Sequence, residues 1–183
     1  LSSEAYWAVD VPLQPSPVMT ELERIIRELE HAHGGHPWHG PSRADVLADV
    51  TPEEAARRPS AQGHGIWALV LHMAAWTGEV ARRVREGDKR LPAAGDWPQV
   101  PTASAAAWRD AVASLDAAHR DVVAALRERG PARLDERAGP ADDLSAGGDV
   151  TYRVMLHGLA QHDAYHTGQI ALLKRLYRDS AAS

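Results

Sequence analysis

The strongest constraint on this chain is a repeated helical period, written four times and interrupted by glycine and proline. It is clearest in "TASAAAWRDAVASLDAAHRDVVAALRERG", where Trp108, Val112, Leu115, His119, Val122 and Leu126 advance in alternating steps of four and three. That spacing puts all six on one face of an α-helix, so the segment needs a partner surface along its whole length. "SPVMTELERIIRELEHAH" carries a Leu22, Ile26, Leu29 stripe, with Ser16 expected as the cap, Pro17 as the first helical residue and Gly34-Gly35 as the stop. "GIWALVLHMAAWTGEVARRVREG" aligns Leu69, His72, Trp76, Glu79 and Arg83 and stops at Gly87, and a last helix is expected from about Val150 to Tyr177.

Between the first two helices, Ser42 and "TPEE" open two brief turns, and Thr51 with Glu54 has the order of a capping box. The expected fold is all-α: a four-helix bundle of the up-and-down type, with short extra helical turns between helices 1 and 2. Residues 1–17 are expected to form an irregular lead, in which Tyr6 and Trp7 are the candidates for packing. A chain of 183 residues suits one domain with its own core.

Composition excludes several functions. The net charge of −5, with lysines and arginines interspersed among acids, leaves no basic footprint for nucleic acid. No apolar run reaches the roughly 20 residues of a membrane helix, and the first residues lack a signal-peptide pattern, so the expectation is a soluble, cytoplasmic protein with no membrane partner. The absence of cysteine removes thiolate nucleophiles, redox pairs and sulfur-ligated metals, leaving nitrogen and oxygen donors.

"HGLAQHDAYHTGQI" places His157, His162 and His166 in ten consecutive positions. At about 100° per residue, His162 and His166 are about 40° apart on one helical face, whereas His157 is about 140° and 180° from them and reads as a packing residue. The pair shares its face with Met155, Leu159, Gln169 and Leu173, the stripe expected to look inward. Ten histidines in 183 positions yield about half an i, i+4 pair by chance, so the spacing alone has little weight. Asp163 also stands where a zincin would carry its glutamate base. His72, on the inward face of a different helix, makes a facial triad with the pair. Three neutral imidazoles suit Zn²⁺ or Ni²⁺ and leave a position open for water or substrate. Three separately buried, hydrogen-bonded core histidines account for the spacing equally well.

"IWALVLHMAAW", with "MLHGLAQHDAYHTGQIALLKR" about ninety residues on, strongly resembles the DinB/YfiT-like superfamily. The "PWHGPS" and "DWP" segments are similar to one branch of it, and the resemblance spans roughly residues 18 to 177 of a domain placed at 18–183. It implies a bundle with one divalent metal, Zn or Ni, on His72, His162 and His166, often in a homodimer. It further implies a small-molecule substrate and, in members with a known reaction, thiol-dependent transfer or isomerisation with a low-molecular-weight thiol such as bacillithiol or mycothiol. Metal-dependent hydrolysis is the other catalytic reading, and a non-catalytic metal-binding or stress-associated interaction bundle is the alternative from a different class.

Around the triad, Gln169 is a candidate for orienting an imidazole, Asp163 and Tyr165 for fixing a ligand tautomer, and Trp76 for lining the cleft. Glu79 lies about 10 Å along the helix from His72, which suits a cleft carboxylate or an arginine partner. His39, in the histidine-rich loop 31–39, is the member of that loop expected to reach the site rim. His119 reads as a core histidine, and Trp67 and Trp108 as core. Gly158 and Gly168, each costing about 1 kcal/mol relative to alanine in a helix, are read as lying near His157 on a tightly packed back face.

Overall fold

Two helix-start signals compete near the N-terminus, and the reciprocal one prevails. Thr20 accepts a hydrogen bond from the Glu23 backbone N–H, while the Glu23 carboxylate accepts one from the Thr20 backbone N–H. Two orphan donors are thereby satisfied at once, so α1 spans Glu21–Gly34 and Val18 to Thr20 stay outside the helix. The helix therefore does not begin at Pro17. The computed structural model describes residues 18–139 and 150–182; the expected lead, Ser16 and Pro17 lie outside them, as does part of the loop before the last helix.

Two short helices follow, α2 (Arg43–Leu47), capped by a reciprocal Ser42–Asp45 box, and α3 (Pro52–Ala56), capped by Thr51. Thr51 receives the Glu54 N–H, but the Glu54 side chain turns to Arg178 of the last helix, so this cap links two elements. The three remaining helices are α4 (Ile66–Glu86), closed by Gly87 in the left-handed region, α5 (Ala105–Arg129), and α6 (Tyr152–Ala182). A 3-10 turn at Pro131–Arg133 follows α5, and the described residues contain no strand, only an isolated bridge between Arg137 and Thr151. The fold is all-α.

Each long helix packs on two others: α4 on α5 and α6, and α1 on α6 and α5. Their directions depart from simple alternation. Trp67 meets Trp108 edge-on at 5.3 Å near the starts of α4 and α5, and Arg85 bonds Asp121 at 2.6 Å near their ends, so these neighbours run parallel. α6 opposes them: His72 faces His162, and the Tyr152 hydroxyl donates to the Arg83 carbonyl at 3.2 Å. α1 runs with α6, as shown by Arg153 beside Glu21 at 3.3 Å and His157 beside Glu28 at 2.9 Å. The order is up, down, down, up, which corrects the up-and-down expectation. Connection 87–104 makes this feasible, since its extended reach of about 60 Å exceeds the roughly 30 Å length of α4.

The core divides along the helix axes. One cluster joins Leu22 to Leu29 of α1 with Val80 to Val84, Val122 to Leu126, and Tyr152 to Leu159. The other joins α2 and α3 with Ile66 to Met73, Trp108 to Leu115, and Ile170 to Tyr177. Between them is a layer of buried polar side chains, including Arg43, His72, His119, Asp163 and His166. Burying such groups is unfavourable unless they are paired, so the layer is held by its internal bonds.

Candidate metal centre

The polar layer has two halves on different sides of α6. Arg43, only 2% exposed, reaches from α2 to place Nη1 2.8 Å from both oxygens of Asp163, and its Nη2 lies 2.6 Å from His33 Nδ1. His33 stacks on His119 with ring centroids 4.1 Å apart. Burial, followed by the nearby charges of His33 and Arg43, depresses the His119 pKa to about 3. Asp163 is thus committed to Arg43 rather than to a triad histidine, which corrects its expected role. His119 is a core histidine, and its ring contact is with another histidine.

On the other side, α4 contributes His72, and α6 contributes His162 and His166 one turn apart. One ligand atom from each of the three lies within 4.8 Å of the others. His72 Nε2 and His162 Nε2 are 3.0 Å apart. Two nitrogens sharing an ion at about 2.1 Å stand roughly 3.0–3.4 Å apart, so this pair already has ligand spacing. Two imidazole lone pairs at that distance repel unless one carries a proton or both face a shared cation.

The outer nitrogens favour the cation. His72 Nδ1 lies 2.6 Å from the Asp96 backbone oxygen, an acceptor only, so Nδ1 carries the proton and Nε2 turns its lone pair inward. His166 Nδ1 lies 2.7 Å from Gln169 Oε1, with the same consequence for its Nε2. Burial, then the charges of His166 and His72, depresses the His162 pKa to about 4. Burial also lowers the His166 pKa, so both rings are neutral at neutral pH. The donor set fits a borderline divalent ion.

Connection 87–104 supplies residues that helical periodicity does not reveal. Besides its carbonyl bond to His72, Asp96 accepts the Trp76 indole N–H at 2.7 Å through Oδ1. The Trp97 ring lies between His72, at 4.0 Å, and His64, at 3.5 Å, nearly parallel to both. This segment covers the His72 side. Tyr165 presents its ring edge-on to His166 at 5.0 Å. Of the three ligand candidates only His162 is partly exposed, and it lines a pocket of about 300 Å³ with Trp76, Val80, Arg83, Met155, Gly158 and Leu159.

Other expected site residues lie elsewhere. Glu79 is buried and bonds Arg83 Nε and Arg82 Nη2, each at 2.8 Å. Burial alone would raise its pKa, but the bonds from Arg82 and Arg83 outweigh it, so the group is a paired carboxylate rather than a cleft one. His39 lines a separate groove between α1 and α6, with Trp38, His157 and Glu28, and does not reach the rim of the triad. His157 is not a packing residue: its two nitrogens bridge Glu28 and Glu21 at 2.9 and 3.0 Å. The bond with Glu21 is the main cause of its raised pKa. Gly158 is in the pocket beside His162, not on the back face, because it precedes His162 by about one turn. Among the described residues, a Cβ added to Gly158 or Gly168 would meet nothing within 4 Å, so no close helix within the chain explains either glycine.

An all-helical chain that converges three imidazoles from two helices, two of them oriented from behind, defines a candidate three-histidine metal centre. The chain belongs to the DinB superfamily, whose family model matches residues 43–170, a span that includes all three histidines. Comparisons with curated proteins and with solved structures gave no match.

Proposed function

We propose that this chain is a metal-dependent enzyme of the DinB type, with His72, His162 and His166 holding one divalent ion, zinc or nickel. The carrying observation is the inward convergence of the three rings, with Asp96 and Gln169 occupying the outer nitrogens of His72 and His166. A divalent ion held there supplies Lewis-acid activation of water or of an exogenous small thiol. The chain has no cysteine, so a thiol must be a second substrate. Thiol-dependent transfer or isomerisation, the chemistry that the resemblance to DinB-like proteins implies, is the favoured reaction class, with hydrolysis second.

The protein's own groups orient and enclose the site. Asp96 and Gln169 set two imidazole tautomers, Trp97 shields His72 from water, and the pocket beside His162 receives the small molecule. The Asp96 carboxylate is engaged with the Trp76 indole N–H and stands 3.4 Å from His72 Nδ1. That engagement leaves it poorly placed as a base for water and favours the thiol route over hydrolysis.

The reading includes a four-helix bundle in the up, down, down, up order and a homodimer. The dimer is supported by the outer face of α6, where Tyr165, Leu172 and Leu176 are each at least half exposed. Sedimentation of wild type against Leu172→Glu tests it; a monomer at micromolar concentration in both removes the dimer. Elemental analysis of purified wild type and His166→Ala tests the centre itself, with about one ion per chain expected in the first and a marked loss in the second.

A further inference from the structure

We propose that the pocket beside His162 takes the uncharged, apolar body of a small molecule whose polar head binds at the metal centre, and that Gly158 is the residue that admits it. The proposal rests on the metal-centre reading above and adds the chemical class of the substrate.

The direction of approach follows from what surrounds each ring. Asp96 and Trp97 lie against His72, and Gln169 and Tyr165 lie against His166. The partly exposed member, His162, forms part of the pocket wall, so a head group on the three histidines extends its remainder into this space. At about 300 Å³ the pocket is at the small end of ligand sites.

The chemistry of the wall fixes what that remainder can be. Apart from His162, it is built from Trp76, Val80, Met155, Leu159 and neighbouring valines, together with Arg83. Arg83 is 3% exposed, bonds Glu79 Oε1 at 2.8 Å and the Arg90 carbonyl at 2.7 Å, and so is committed to the protein. The Trp76 indole N–H is likewise taken by Asp96. A charged or strongly polar body would lose its water here without gaining a partner, whereas an apolar one gains by burial. Gly158 keeps the space open: its backbone φ is ordinary for a helix, so neither a turn nor strain requires glycine, and a Cβ there would meet no described atom within 4 Å. A large side chain at 158 would occupy the pocket while leaving the three histidines in place.

The test uses zinc-loaded full-length protein and alkyl hydroxamates of increasing length, from acetohydroxamate to octanohydroxamate, with binding read by calorimetry. The expected result is an affinity that rises about three- to fourfold per methylene until the pocket fills. A terminal carboxylate on the longer chains cancels the gain. Gly158→Phe abolishes the length dependence while keeping the zinc content and the acetohydroxamate affinity, and Gly158→Ala retains most of it. A flat series on zinc-loaded wild type, or a length dependence that survives Gly158→Phe, overturns the pocket assignment alone. Failure of wild type to retain zinc or bind acetohydroxamate overturns the metal reading and this proposal with it.

Discussion

Replacing His119 by leucine is expected to make the protein markedly less sensitive to mild acid. His119 is 7% exposed, is stacked on His33 and has Arg43 nearby, so protonating it puts a cation into a buried site beside existing positive charge. Its pKa is about 3 in the folded chain against about 6.5 when unfolded. The unfolded state therefore binds the extra proton first, and the stability associated with neutral His119 is fully present above about pH 6.5 and lost as pH falls towards 3. At about 1.4 kcal/mol per pH unit, His119 alone accounts for a loss of roughly 2 kcal/mol between pH 6.5 and pH 5. Urea unfolding of the metal-free protein at pH 7 and pH 5 measures this. His119→Leu should reduce the acid loss by about 1–2 kcal/mol while nearly conserving volume. An unchanged loss would refute the assignment of the burden to His119.

Three further outcomes follow from single contacts. Arg43→Met leaves the Asp163 carboxylate buried without its guanidinium and should cost about 3–5 kcal/mol in urea unfolding, whereas a loss below about 1 kcal/mol would show that the pair does not hold α2 to α6. Gln169→Leu removes the acceptor from His166 Nδ1 and should weaken zinc binding about 10- to 100-fold in a chelator competition; unchanged affinity would remove Gln169 from the site. Gly78, within α4, has room for a Cβ, so Gly78→Ala should raise stability by about 0.5–1 kcal/mol, and a destabilised variant would show that something approaches that position.

The helices and the inward faces of His72, His162 and His166 were legible in the sequence because an α-helix converts spacing into direction without help from the rest of the fold. The same rule applied to Gly158 places it about 40° from His162, in the pocket rather than on the back face. The relation between helices was less legible. The parallel course of α4 and α5 depends on the path of connection 87–104, and no periodicity encodes that path. Asp96 and Trp97 meet the site only because that connection returns across His72. Asp163 had a plausible role beside the metal, but Arg43 on another element claimed it, whereas the pairing of Glu79 with Arg83 was one of its two expected roles. Buried carboxylates go where a guanidinium can be delivered, and that delivery is a property of the tertiary structure. The start of α1 is a subtler case: Ser16 and Thr20 are both good caps, but Thr20 has a glutamate three residues on to complete the reciprocal pair.

The claim on which the account depends is that His72, His162 and His166 act together on one ion. Isothermal titration of metal-free wild type with zinc, repeated for His72→Ala, His162→Ala and His166→Ala, tests it most directly. The account predicts one site per chain in wild type and a loss of high-affinity binding in each variant, with helical content unchanged. Equal binding in all four proteins, or loss in only one variant, would contradict it.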